Sequence, residues 1–179
     1  MFERLRASLG LQFARLQFRT DFDVAQPLTD FFQKAHNVLI VLPIGYEDAV
    51  IASDILNQAC RRVPDIHLTI VHSGTRETSL AAFTKSEVIR VHADDLNKFF
   101  LPTQRLLHQI IKRQYDVAIN LNLDFVLHTA YICKASRARV RVGCPHAAAD
   151  VFYNVQFNVK MDQPAQARYQ QFGAFVKMF

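Results

Sequence analysis

The run Val38-Leu39-Ile40-Val41-Leu42, the turn Pro43-Ile44-Gly45-Tyr46-Glu47 behind it, and a helical stretch from Asp48 to Arg62 that stops before Pro64 decide the fold. Unbroken β-branched and leucine side chains, with no polar alternation, mark a strand covered on both faces, as in a parallel sheet. The same unit recurs outward along the chain. Ile66–His72 reads as a second strand with a polar loop from Ser73 to Thr78 behind it, and a helix near Ser79–Phe83 leads to Val88–Val91. A helix over Thr103–Arg113 delivers Val117–Leu121, one over Phe125–Lys134 precedes Val140–Val142, and Val155–Val159 alternates as a last strand. Upstream, a short helix over Leu28–Ala35 leads into the first strand, and Pro164 opens a closing helix. Strands alternating with helices of this length predict a doubly wound, mainly parallel, Rossmann-like α/β domain with right-handed crossovers. The expected parts are a helical extension over 1–36, the Rossmann-like domain over 37–160 and the closing helix over 161–179.

Composition sets outer bounds. The chain has 179 residues, the length of one domain, and is 50% apolar and 21% charged, enough for a core under an ordinary soluble surface. No stretch is long and apolar enough for a transmembrane helix, and Met1–Arg6 lacks the apolar run of a secretory signal. Three scattered cysteines, Cys60, Cys133 and Cys144, fit a reducing compartment better than a disulfide framework, so a cytoplasmic location is expected, peripheral to the inner membrane face in one reading. The net charge of +5 suits anionic partners without choosing among them. Within residues 1–20, Phe2, Leu5, Leu9, Phe13 and Leu16 recur at helical steps with arginines on the flanks and Gly10 in the middle. This is either a membrane-surface helix or a leading helix that packs on the domain itself, and the second is the expected one.

Ligands of an open parallel sheet bind beyond the carboxyl ends of its strands. The loops that start there supply the candidate ligand-binding residues: Gly45 and Glu47, Ser73 and Arg76, Asn122 and Asp124, Arg141 and His146. The first loop argues against a nucleotide. It has a single glycine where a dinucleotide fingerprint needs three, and it puts Glu47 and Asp48 where a pyrophosphate would lie. Asp48 suits the helix dipole and reads as an N-cap, and a carboxylate so placed also serves as a general base toward a sugar hydroxyl. Cys144-Pro145-His146 with His128 is the nearest approach to a metal set, without the paired spacing of zinc sites, so neither metal nor cofactor is expected. Arg137, Arg139 and Arg141 would share one face of a strand. No aromatic residues interleave with them as a nucleic-acid platform requires, and nucleic acid is not an expected partner.

Three stretches carry a likeness. The first is Val38–Val41, then Asp48-Ala49-Val50-Ile51-Ala52-Ser53-Asp54-Ile55-Leu56 and Arg61-Arg62-Val63-Pro64-Asp65; the second is Lys112–Leu121 with Tyr115-Asp116-Val117 inside it; the third is Ala138–Gly143. Together they resemble the N-terminal, acceptor-side domain of the bacterial lipopolysaccharide heptosyltransferases of glycosyltransferase family 9, over about residues 37–179. The resemblance implies the Rossmann-like N-terminal half of a GT-B enzyme, facing a lipid-anchored sugar, with Asp48 as the base. Glu47 stands where the family usually has glycine, and Asn120 and Asn122 stand for its Asp and Gln. It further implies that the nucleotide-sugar half is missing from these residues, and transfer without a donor seat forgoes a proximity advantage of ~7–11 kcal/mol.

The expected function is therefore a half-glycosyltransferase-like domain, inactive by itself, that binds a glycan, a lipid headgroup or a partner protein. One alternative is the acceptor-binding subunit of a split glycosyltransferase. Another is a peripheral membrane subunit docked through residues 1–20. A partner protein would meet an apolar stripe of the closing helix made by Tyr169, Phe172, Phe175, Val176 and Phe179.

Overall fold

The computed structural model describes residues 2–21, 23, 34–60, 66–73, 86–160 and 162–176. Six strands, β1 (Asn37–Val41), β2 (His67–His72), β3 (Glu87–Arg90), β4 (Val117–Asn120), β5 (Val140–Gly143) and β6 (Val155–Gln156), form one sheet. Every neighbouring pair is parallel and the order is β3-β2-β1-β4-β5-β6. The chain winds outward from β1 in one direction, then returns to add β4 on its other side. The switch point thus lies between β1 and β4, in register from Val38 opposite Val117 to Val41 opposite Asn120. Just before β4, the Asp116 carboxylate accepts the backbone N–H groups of His36 and Asn37 at 2.9 and 3.1 Å, which fixes the start of β1 against it.

Among the described residues five α-helices flank the sheet: α1 (Phe2–Gln17), α2 (Tyr46–Cys60), α3 (Gln104–Ile110), α4 (Leu127–Ala135) and α5 (Ala165–Val176). Alternate side chains of the central strands divide between two cores. Leu39, Val41, Val71 and Ala118 pack toward α3 and α4, while Val38, Ile40, Ile70, Ile119, Val140 and Val142 pack toward α2 and α5. Fully burying such a side chain is worth roughly 1.5–3 kcal/mol, so the unbroken aliphatic runs stabilise both layers together.

The sequence expectations hold for the six strands and for the helices that fall on described residues, with ends displaced by a few positions. The expected helices at 28–35 and 79–83 lie mainly or wholly outside the described residues. Asp48 is not the N-cap of α2. The helix begins at Tyr46, and the Gly45 carbonyl accepts the Ala49 N–H at 2.8 Å, leaving Asp48 inside the first turn. The three arginines share no face either. Arg137 precedes the strand with φ of 58°, Arg139 is exposed before it, and Arg141 is buried within β5, an interior strand.

α1 packs on the domain, though through an unexpected face. Gly10 and Ala14 are its buried residues, and a Cβ at Gly10 would stand 2.2 Å from the Phe99 carbonyl oxygen and 2.9 Å from Leu127. Beyond the helix, Phe18 rests on the rings of Tyr131 and Phe152, and the Tyr131 hydroxyl donates to Gln17 Oε1 at 2.7 Å. The apolar stripe from Phe2 to Leu16 points away from the core.

Candidate functional site

At the carboxyl end of β1 the chain leaves the sheet through Leu42 and Pro43, both buried, and surfaces at Ile44, Gly45 and Tyr46. Across the switch point, β4 leads into Leu121–Val126. One side chain ties the two loops together. Asn122 Oδ1 accepts the Ile44 N–H at 3.0 Å, and its Nδ2 donates to the Leu42 carbonyl at 3.2 Å and to Asn120 Oδ1 at 2.8 Å. Asn120 is anchored in turn, its Nδ2 donating to Thr129 Oγ1 at 3.0 Å and to the Tyr153 hydroxyl at 2.6 Å. Both asparagines are buried, so this network desolvates amides that find partners within the protein. An Asp at 120 would lack the two N–H donors that these hydroxyl oxygens accept.

The crevice held open by this tie carries acids at its lip. Glu47 is exposed and Asp48 half-buried in the first turn of α2, and Asp124 is exposed on the opposite loop. Tyr169, from α5, lies in the field of the same groups. Burial raises the pKa of its phenol, and the charges of Asp48, Cys144 and Asp124 raise it further against the opposing effect of Arg168. Its hydroxyl is buried with no hydrogen-bond partner among the described residues. Held neutral, this phenol keeps a proton that it can donate.

The loop after β5 completes the lip. His146 stacks on Phe125 with ring centroids 4.3 Å apart and planes 9° apart, and its Nδ1 accepts the Ala148 N–H at 3.1 Å. Nδ1 is thereby engaged, leaving Nε2 as this ring's other nitrogen. Burial, helped by Asp124, pushes the Cys144 thiol up to about 11, which disfavours the thiolate that a nucleophile needs. Buried Cys133 is pushed up to about 12.

The structure therefore brings together Gly45, Glu47, Asp48, Asn122 and Asp124 on the two loops of the switch point, with His146 on the neighbouring one. Asn122 acts inside the wall rather than at its surface. Ser73 follows β2, its Oγ buried without a partner among the described residues, and Arg76 lies outside them. Arg141 does not belong to the site. Its Nε donates to the Phe152 carbonyl at 2.9 Å, Nη1 to the Ala138 carbonyl at 2.8 Å, and Nη2 to the Asp23 carboxylate. Lys134, also buried, reaches Asp23 from 3.4 Å. Burial alone would raise the Asp23 pKa, but the hydrogen bond and charge of Arg141 and the charge of Lys134 hold it below the usual carboxylate value.

The sequence reading named Asn120 only as a departure from the resembled family, did not single out Tyr153 or Asp23, and assigned Tyr169 to a partner-binding stripe. Asn120 and Asn122, two apart at a strand end, carried a signal, since that spacing places both on one side of the sheet. The other three depend on contacts far apart in the chain. Tyr169 and Phe172 are buried against the domain's own core, so neither is free for a partner; Phe172 packs on Phe157 at 4.8 Å, while the side chains of Phe175, Val176 and Phe179 lie outside the described residues.

A separate hollow of about 500 Å³ at the edge strand β3 is lined by Val88, Arg90, His92, Asp95, Arg105 and Gln109. Arg105 closes on Asp95 at 2.7 Å and Asp94 at 3.1 Å, which neutralises its charge locally. The hollow lies at an edge of the sheet, away from the central switch point. Among the described residues no cluster of three or more His, Cys, Asp or Glu side chains is placed to hold a metal ion.

No family model matches this chain, and no curated protein matches it by sequence. Solved structures do. The E. coli heptosyltransferase WaaC with ADP aligns over 78% of this chain and 46% of its own, at 19% identity and a TM-score of 0.60. The same enzyme with ADP-2-deoxy-2-fluoro heptose aligns over 80% and 49%, at 18% identity and 0.62. A glycosyl transferase family 9 protein from Veillonella parvula aligns over 80% and 42%, at 16% identity and 0.61. The chain spans less than half the length of each. The fold is accordingly that of the N-terminal half of a GT-B glycosyltransferase, similar to the heptosyltransferases and to glycosyltransferase family 9.

Proposed function

We propose that this domain binds a sugar acceptor, a glycan or a lipid-borne headgroup, in the crevice between the β1 and β4 loops, and does not transfer a sugar by itself. The observation that carries the reading is the acidic lip. Glu47 and Asp48 occupy the first turn of α2, where a nucleotide-binding α/β domain presents bare N–H groups to phosphate. Carboxylates suit neutral hydroxyls, which donate to them. Exposed Ile44 and Tyr46 beside them offer an apolar surface to a sugar ring.

A catalytic extension of the same reading is supported by Asp48 alone, as the base that would take the acceptor hydroxyl's proton once a donor-binding half is supplied. The purified domain, given an ADP-sugar and a lipopolysaccharide core acceptor, is expected to show no turnover above the blank. Adding a nucleotide-sugar-binding half is expected to restore it, and Asp48→Asn then to lower kcat by roughly 10²–10⁴. Turnover by the domain alone would contradict the proposal, and an unaffected Asp48→Asn pair would remove the base assignment.

A further inference from the structure

The face of α1 turned away from the domain is largely uncovered among the described residues, with only Phe13 touching a neighbour, Phe99. Phe2 is 81% exposed, Leu5 59%, Leu9 42%, Phe13 48% and Leu16 65%. At the helical repeat they fall within an arc of about 80°, centred roughly 120° from the Gly10–Ala14 face that packs on the core. Such exposure is costly in water, and a monomer seldom keeps a patch like this without a use for it. Only Glu3 is acidic in the helix, while Arg4, Arg6 and Arg15 lie along it and Arg19 follows. Lys98 and Phe100 extend the patch. Arg6 Nε donates to the Lys98 carbonyl, its guanidinium stands 5.0 Å over the Phe100 ring, and Phe13 meets Phe99 at 5.1 Å.

We infer that this face docks on an anionic lipid bilayer, with the five apolar side chains entering the headgroup boundary and the arginines meeting lipid phosphates. Charge selects this occupant over a second copy of the chain. Arg6, at the edge of the apolar arc, and Lys98 beside it have no acid on this face to offset them, so two such faces together would bring like charges close, whereas an anionic leaflet complements them. The packing also sets the direction. Gly10 lies against Leu127 at the start of α4, Gln17 meets Tyr131 further along, and Asp23 meets Lys134 near its end, so α1 runs parallel to α4. Residues Phe2–Leu9, about 12 Å of helix, therefore project past the start of α4, at the end of the sheet where the strands point and the crevice opens. Docking would bring the crevice mouth to the lipid surface. The docking stands without the sugar-acceptor reading, and its test uses vesicles that carry no glycan.

The full chain is spun with vesicles of phosphatidylcholine, with and without about a third phosphatidylglycerol, at low and high salt. Binding to the anionic vesicles is expected, at least tenfold weaker on pure phosphatidylcholine or at high salt. Phe2→Ser/Leu5→Ser/Leu9→Ser, at exposed positions, is expected to lose binding tenfold or more with its thermal transition unchanged. Arg4→Gln/Arg15→Gln is expected to lose less and to weaken the salt dependence. Equal binding by the triple serine variant would overturn the inference, as would no binding by the parent chain. A concentration-dependent dimer that the serine variant abolishes, without vesicle binding, would assign the face to a second copy instead.

Discussion

Asn122 closes the crevice wall with one amide, bonding to Ile44 and Leu42 on the β1 loop and to Asn120 on β4. Asn122→Ala leaves the Ile44 N–H and the Leu42 carbonyl short of a partner, while Asn120 Oδ1 keeps the backbone N–H of residue 122; the cost is about 1–3 kcal/mol, and the melting temperature should fall by several degrees. If it does not move, the tie is dispensable. The lip acids make the opposite prediction, for binding rather than stability. Removing both charges in Glu47→Gln/Asp48→Asn should raise affinity for ADP by roughly three- to tenfold, because the α2 N-terminus then meets the phosphates unopposed. An unchanged ADP affinity in a calorimetric titration would mean that the acids do not guard the crevice. Glu47, Asp48, Asn122 and Asp124 were legible in the chain because parallel sheets place their strand-end loops together. Arg141 was not, since the sequence grouped it with a strand-end loop and with Arg137 and Arg139, whereas its partners, Asp23 and the carbonyls of Ala138 and Phe152, lie elsewhere in the chain or in a turn.

Among the elements, the strands were readable from composition alone. Two-sided burial demands apolar side chains at every position, and Val38–Val41 and Val117–Ile119 supply them. α1 was readable as a helix but not in orientation. Hydrophobic periodicity ordinarily marks the face that packs, yet here small residues dock and large ones are left outside, because Gly10 permits an approach that any side chain would block. Gly10→Val should therefore dislodge α1, with a loss of roughly 1–3 kcal/mol and faster amide exchange over Phe2–Gln17; protection equal to the parent's would show that the contact is slack. Gly143 has the same character in β5, where a Cβ would come within 2.5 Å of the Tyr153 ring. Tyr153 in turn supports Asn120, so Gly143→Ala reaches the crevice through one intermediary.

For the molecule as a whole, stability should decline toward acid in two stages. Burial in the first turn of α4 lowers the His128 pKa to about 4, and its Nε2 has no partner among the described residues. The unfolded chain takes up that proton near pH 6.5 and the folded one only near 4, so stability falls as pH drops between them, by on the order of 3 kcal/mol at most. Asp23 acts at lower pH. Its pKa is depressed in the folded state, so its contribution is present above the ordinary carboxylate value and is lost as pH falls through and below it. His128→Leu should flatten the first stage and leave the second, as read by denaturant midpoints from pH 7 to 4; an unaltered profile would mean that His128 is not neutral in the fold. The central claim, a crevice for sugar hydroxyls rather than for nucleotide phosphates, is tested most directly by following backbone amide resonances during titration. Delipidated lipopolysaccharide core oligosaccharide should shift Gly45–Asp48 and Asn122–Asp124, while an ADP-sugar at the same concentration should leave them in place. Shifts of those amides by the ADP-sugar, with none from the oligosaccharide, would contradict it.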